Sequence, residues 1–249
     1  MLWGQRGSVH RIEDVAAHGC SRYSSTPMCS HYQALKERER YRRHFGVEPP
    51  ADLGKHDLWP GYLGTFIRRH PHAEVGDDAV PEREALTGLF GLVPHWSPDT
   101  KMTRFTYNAR SETVAIKPSF REAWKHAQHC IIPADAIFEP DWRSGRAVPA
   151  RISLADGAPM GIAGLWSRWK SPQGEVVHSY TMLTINADQH PLMRQFHKPG
   201  DEKRMVVILP VARYDDWLQA GPERSMAFMR PYPAEQMMAD EPRVDGGLF

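Results

Sequence analysis

The 249-residue chain balances 31 Lys+Arg against 30 Asp+Glu, is 41% hydrophobic and 24% charged, and so has the composition of an ordinary globular domain rather than of a disordered chain. Its longest apolar run, 205–209, is far too short to cross a bilayer, and Arg6, Arg11, Glu13 and Asp14 interrupt any signal-peptide core, so a cytoplasmic location is the default. Three cysteines (Cys20, Cys29, Cys130) without a CxxC pair argue against a disulfide framework and against a structural zinc site, despite 13 histidines.

Residues 1–28 show no sustained apolar periodicity and pass through the loop-like SSTP, so they are expected to form an extension outside the fold. A charged surface helix is expected over 33–45, stopped by Gly46 and the Pro49-Pro50 pair. A loop-rich region follows, with strands expected at 62–67 and 85–93. The stretch KPSFREAWKHA predicts a helix over 117–127, because Pro118 suits its first turn and Phe120, Ala123, Trp124 and Ala127 share a face. Strands are then expected at 129–132, 136–138, 150–154, 160–166, 179–185 and 205–209. Asp156-Gly157 and Pro172-Gln173-Gly174 supply hairpin turns between them, and helical pieces fall at 189–196 and 212–219. Many short strands, few helices and no βαβ alternation predict a single α+β domain over 29–240, built on a curved, mostly antiparallel, barrel-like sheet with peripheral helices. Residues 241–249 read as a loose tail.

Two basic stretches, KERERYRRHFG and FIRRHPH, have the charge to follow a polyanion, or are simply solvated faces. Four other stretches carry groups suited to chemistry. Cys29 directly follows Met28, and a cysteine with a free α-amine is a 1,2-aminothiol. Asn108 and Arg110 sit in TYNARSET. Glu139 follows an apolar run and precedes Pro140, where desolvation raises a carboxyl pKa into a range useful for proton transfer. His197 lies between Phe196 and Lys198. Each alone has a plain structural explanation: a buried thiol, a turn cap, a strand-end carboxylate, a packed histidine.

Taken in order, these stretches resemble the SOS response-associated peptidase family, whose members crosslink to abasic sites in single-stranded DNA. The resemblance is carried by MCSHY at the cysteine, Trp59-Pro60-Gly61, FGLVPHW, NARSET, the Phe-x-x-x-Trp of the 117–127 stretch, IFE at 137–139 and the His197 to Arg204-Met205 block. It implies that removal of the preceding residues frees Cys29, whose amine and thiol capture the ring-opened sugar aldehyde as a thiazolidine. By the same resemblance Asn108 positions the amine, Glu139 shuttles protons and His197 acts at the sugar ring oxygen. Arg110 is implied as a phosphate ligand, with Arg121, Arg204 and His31 as further DNA contacts. Pro60 and Trp96 match residues that stack against bases beside the lesion. No cofactor or metal is implied. The implied partner is single-stranded DNA containing abasic sites, the protein acting as a monomer associated with the nucleoid when bound.

The chain departs from the family pattern at several points. Ser30-His31 replaces the common Gly-Arg, Phe90 replaces the first Trp of the wedge segment, Trp142 is displaced from Glu139, and KPGDEK is inserted after His197. The extension has two explanations: a start at Met28 followed by its trimming, or self-cleavage at the Met28-Cys29 bond. Its lack of helix pattern and targeting logic favours the first. Two other functions fit the same residues, a Cys-His-Glu peptidase acting in trans and a non-catalytic single-stranded DNA binding module.

Overall fold

The computed structural model describes residues 29–73 and 80–240. The expected extension, Cys20 within it and the expected tail lie outside the described residues.

Twelve strands are present among the described residues: β1 (His31–Ala34), β2 (Asp57–Leu58), β3 (Leu63–Arg69), β4 (Arg83–Phe90), β5 (Asn108–Arg110), β6 (His129–Asp141), β7 (Val148–Leu154), β8 (Met160–Lys170), β9 (Val176–Asn186), β10 (Arg204–Val206), β11 (Ile208–Leu209) and β12 (Met237–Ala239). Five of them close on themselves. β8 pairs with β9, β9 with β4, β4 with β3, β3 with β6, and β6 returns to β8. Closure leaves no free edge in this ring, which is how a small barrel satisfies its backbone groups. Most pairings are antiparallel; β4 and β5 each run parallel to β9. The result is a single α+β domain on a barrel, as the strand-rich pattern predicts.

The barrel interior is aromatic. Phe66, Phe90 and Tyr180 pack together, and the Tyr32 and Tyr180 hydroxyls share a hydrogen bond of 2.6 Å, which satisfies both polar tips in an otherwise apolar core. Gly64 on β3 makes room for them: a side chain there would strike both tyrosine hydroxyls and Leu58. Burying each such ring stabilises the fold by roughly 1.5–3 kcal/mol. At one end the helix α3 (Tyr214–Gln219) covers the barrel; Trp217 stacks on His129 at 3.8 Å and donates its indole N–H to the Cys130 carbonyl.

Several expected elements differ. The helix over 33–45 begins only at Arg38, running from α1 (Arg38–Arg40) into a π-helical turn, Tyr41–Phe45. The preceding residues are pulled into β1 because Tyr32 and Ala34 point inward against β6 while His31 and Gln33 face out. Gly46 ends the helix as expected, at φ +65°. The helix over 117–127 shrinks to α2 (Arg121–Lys125), with Phe120, Ala123 and Trp124 buried. The strands expected at 129–132 and 136–138 are one strand, β6, which absorbs its irregularity as a bulge at Asp135: Gln33 pairs with Ala136 but Ala34 with Ala134. Asp156-Gly157 turns the chain without forming a hairpin, since β7 and β8 each pair with a different half of β6. At 171–175 the expected hairpin turn forms, with Gly174 at φ +93°. The segment 189–196 is helical only as the single 3-10 turn Met193–Gln195.

The basic stretch at 36–46 is largely self-neutralised. Arg38 and Arg42 pair with Glu48, Arg43 with Glu39 and Arg40 with Asp135. No helix among the described residues is long and apolar enough to cross a membrane.

Candidate active site

The C-terminal end of β6 gathers the predicted chemistry. β1 runs antiparallel to β6 with His31 opposite Phe138, so Cys29, two residues before His31, is delivered beside Glu139. The Cys29 nitrogen and thiol both lie against the Glu139 carboxyl, close enough to favour its charged form, and the sulfur also stands 4.0 Å from the His31 carbonyl. β5, laid parallel on β9, presents Asn108, whose Nδ2 donates to the Cys29 carbonyl at 3.4 Å. His197 arrives from the other side. Its backbone N–H donates to the Pro140 carbonyl at 2.8 Å, and a bridge between Phe196 and Asp141 ties the same segment to the strand end. Its Nε2 stands 3.5 Å from Glu139 Oε2. The backbone of His197 adopts φ +63°, an uncommon conformation for a side chain of its size and a local strain held by these contacts.

Burial sets the protonation states. Glu139 is 1% exposed, and desolvation lifts its pKa to about 8, the Cys29 hydrogen bonds offsetting only part of the rise. At neutral pH it is therefore largely a neutral acid. Burial likewise raises the Cys29 thiol well above its ordinary value, the nearby Glu139 charge adding to the effect and the Phe138 backbone N–H opposing it. Burial also lowers the His197 pKa, leaving a neutral imidazole. Its Nε2 faces the Arg204 carbonyl at 3.1 Å, an acceptor only, so that nitrogen carries the proton and Nδ1 the lone pair. The His197–Glu139 approach is thus a contact of two neutral groups, not an ion pair.

Around this cluster the other predicted residues separate by role. Arg110, two residues beyond Asn108, is partly exposed and meets Glu202 at 2.8 Å. Arg204 is only 2% exposed and in the free protein is gripped by Glu112, Glu202 and the Thr184 carbonyl, so its guanidinium is occupied by carboxylates. His31 is not a free cation either. Its ring is sandwiched between Trp59 at 4.3 Å and Phe138 at 4.1 Å, accepts or donates one bond to Asp57, and has its pKa lowered by burial. The stack joins the loop bearing Pro60 to the strand bearing Glu139. Pro60 is half-buried in that loop, where Gly61, at φ +89°, donates to the Phe90 carbonyl at 2.7 Å. Trp96 is 48% exposed, its indole N–H directed at the Pro118 carbonyl, beside a recess lined by Pro94, His95, Ser119 and Glu122. Arg121 is exposed on α2 and lies 3.5 Å from Glu122.

Sequence reasoning named Trp59 only within the Trp59-Pro60-Gly61 match and assigned no role to it, to Tyr107 or to Glu202. Tyr107 precedes Asn108 and is close enough to Cys29 and Glu139 that, after burial, their charges raise its pKa. Its adjacency to Asn108 was the available signal. Among the described residues no group of three or more His, Cys, Asp or Glu could hold a metal ion.

A closed barrel thus gathers a buried cysteine, carboxyl and imidazole and a half-buried amide at the end of one strand. Residues 28–242 match the model of the SOS response associated peptidase (SRAP) family, and the chain belongs to that family. A crystal structure of a protein from Bordetella bronchiseptica is 53% identical, covers 85% of this chain and 98% of its own, and superposes with a TM-score of 0.76. A second crystal structure, of a Bacteroides thetaiotaomicron protein, shares the fold at 21% identity over 85% of this chain and 90% of its own, with a TM-score of 0.71. Among curated relatives, the abasic site processing protein YoqW of Bacillus subtilis is 33% identical over 156 residues, 60% of this chain. The abasic site processing protein HMCES of Gallus gallus is 22% identical over 225 residues, 80% of this chain. The matches span 65% and 63% of the lengths of these two relatives.

Proposed function

We propose that this protein captures abasic sites in single-stranded DNA as a covalent thiazolidine adduct on Cys29, once the residues before Cys29 have been removed. The observation that carries the reading is the placement of the Cys29 nitrogen and sulfur on one buried carboxyl, Glu139. An aminothiol needs both atoms next to one proton-transfer group. The free amine adds to the C1′ aldehyde of the ring-opened sugar, giving a carbinolamine. Glu139, neutral at pH 7, donates its proton to the departing hydroxyl, and water leaves with formation of the protonated imine. The carboxylate so formed takes the thiol proton, and the sulfur closes on the imine carbon. The net change is the loss of one water. Asn108, holding the Cys29 carbonyl, orients the nucleophile, and the neutral His197 exchanges a proton at the sugar ring oxygen.

The same geometry supports self-cleavage at the Met28–Cys29 bond, with Cys29 as nucleophile and Glu139 as the proton carrier, and the curated relatives named abasic site processing proteins support the DNA reading. A peptidase acting in trans fits less well. Such an enzyme needs a thiolate at neutral pH, whereas burial holds this thiol protonated, and His197 contacts Glu139 rather than the sulfur.

Incubating protein that begins at Cys29 with an abasic-site oligonucleotide tests the proposal on a denaturing gel. A shifted band, absent after acetylation of the amine, is expected; a band insensitive to acetylation contradicts it. Trp96 is expected to stack against a neighbouring base. Trp96→Ala should weaken binding to single-stranded DNA about 5- to 100-fold, the worth of one base–aromatic contact, while leaving the melting temperature almost unchanged because the ring is half exposed. Equal loss of stability and binding would assign Trp96 to packing.

A further inference from the structure

One charged side chain beside the site, Glu202, has no part in the chemistry above. It lies in the loop 198–203 that leaves His197. Its Oε2 accepts from Arg110 Nη1 at 2.8 Å, and its Oε1 accepts from Arg204 Nη1 at 2.8 Å and from Asn186 Nδ2 at 3.3 Å. One carboxylate thus bridges two guanidiniums. The bridge stands at the rim of the catalytic cluster: Arg110 follows Asn108 by two residues, and the Arg204 carbonyl faces His197 Nε2. Burial alone would raise the Glu202 pKa, but the Arg204 and Asn186 hydrogen bonds hold it below the ordinary carboxylate value, so it is an anion there.

We propose that Glu202 is a built-in competitor for the DNA backbone, occupying in the free protein the place between Arg110 and Arg204 that a phosphodiester takes when DNA docks. The inference rests on the reading that Arg110 faces nucleic-acid phosphate. A phosphodiester, like a carboxylate, offers two charged oxygens to two guanidinium donors. The Arg110–Glu202 pair is 38% exposed on both sides, so water screens it and little binding energy opposes its displacement. Arg204 stays in place, since Glu112 grips it in a two-pronged pair at 2.8 and 2.9 Å. The loop backbone stays too, pinned by the Lys203 N–H on Asp188 and by Lys203 Nζ on the carbonyls of His197 and Lys198. Rotation of the Glu202 side chain alone therefore vacates the site. Its consequence is selectivity: a weak or isolated anion does not displace the carboxylate, whereas a strand held at neighbouring positions does.

Equilibrium binding of an undamaged single-stranded oligonucleotide to the full chain, followed by fluorescence anisotropy across a salt series, tests this apart from covalent chemistry. Glu202→Gln should bind about 2- to 5-fold tighter at low salt, the worth of an exposed pair. The slope of log affinity against log salt should steepen by up to about 0.7 as one more cationic charge becomes available to phosphate. Both gains should vanish in an Arg110→Ala background. Glu202→Asp, one methylene shorter and unable to span both guanidiniums, should show a smaller gain, and it serves as the test variant if Glu202→Gln fails to fold. Unchanged or weaker binding by a variant with wild-type melting behaviour overturns the inference alone. Absence of binding by wild type and variants alike overturns the nucleic-acid reading itself.

Discussion

Replacing Cys29 by alanine should abolish the denaturation-resistant adduct with abasic DNA while leaving a folded protein that still binds the strand. In a form beginning at residue 29 the alanine variant keeps its α-amine, so it should still form an imine, detectable after borohydride reduction. What it lacks is ring closure. Holding the thiol on the carbon next to the one that bears the amine gives an intramolecular reaction an effective concentration on the order of 10⁵ M or more. Loss of that step should leave a reversible linkage that hydrolyses when the sample is denatured. The structural effect of the substitution is small by comparison. Cys29 is 2% exposed, and removing one buried sulfur should destabilise the fold by about 1 kcal/mol, at the low end for buried truncations. A stable adduct on Cys29→Ala, without reduction, would show that the sulfur has no part in the linkage.

Glu139→Gln should have opposite effects on rate and on stability. The amide keeps the shape and accepts the Cys29 hydrogen bonds, yet it cannot exchange a proton, so adduct formation should slow about 10²- to 10⁴-fold. The wild-type rate should also fall as pH rises through about 8, where the acid loses its proton, and that descending limb should be missing in the variant. Stability runs the other way. The folded pKa of about 8 lies above the reference value of 4.5, so the native state holds a proton that the unfolded chain has released throughout that window. The Glu139 contribution is therefore undiminished below about pH 4.5 and is lost progressively as pH rises to about 8. The total loss is at most ~5 kcal/mol, since one pKa unit corresponds to about 1.4 kcal/mol. Glutamine has no such dependence. The variant's melting temperature should gain on that of the wild type as pH increases from 4.5 to 8, a comparison in which the titration of buried groups away from the site, such as His129, cancels. A constant difference across that range would mean that Glu139 is not held neutral by burial. The arrangement costs stability where the chemistry needs a proton at neutral pH, as functional sites commonly do.

Much of this was legible because it is local. Alternating apolar residues located the long strands, and Gly46 and Gly174 marked turns that need a positive φ. The ordered blocks from MCSHY to the His197 segment named the four side chains that meet at the end of β6. Errors fell where tertiary pairing overrides local preference. Gln33 and Ala34 belong to a stretch of helical composition but are drawn into β1 by pairing with β6, and Pro133 with the Asp135 bulge disguised one long strand as two. Short edge pieces such as β2, β5 and β12 have too few residues to show a period at all. Ring closure through β6 and β8 joins residues some thirty positions apart and has no local signature. For the site, sequence could list cations but not their partners. Whether Arg204 meets solvent or Glu112 depends on a carboxylate 92 residues away, and the sandwich around His31 depends on Trp59 and Phe138 meeting across the sheet.

Intact-mass analysis after incubation with an oligonucleotide bearing one abasic site puts the central claim to its most direct trial. Two preparations are compared, one beginning at Cys29 and one in which the Cys29 nitrogen remains in the peptide bond to Met28. The first should gain the mass of the oligonucleotide less one water, with the added mass on Cys29, and the second should gain nothing unless it first sheds the residues before Cys29. An adduct formed on the uncleaved chain, or none on the chain that begins at Cys29, would contradict capture by a terminal aminothiol.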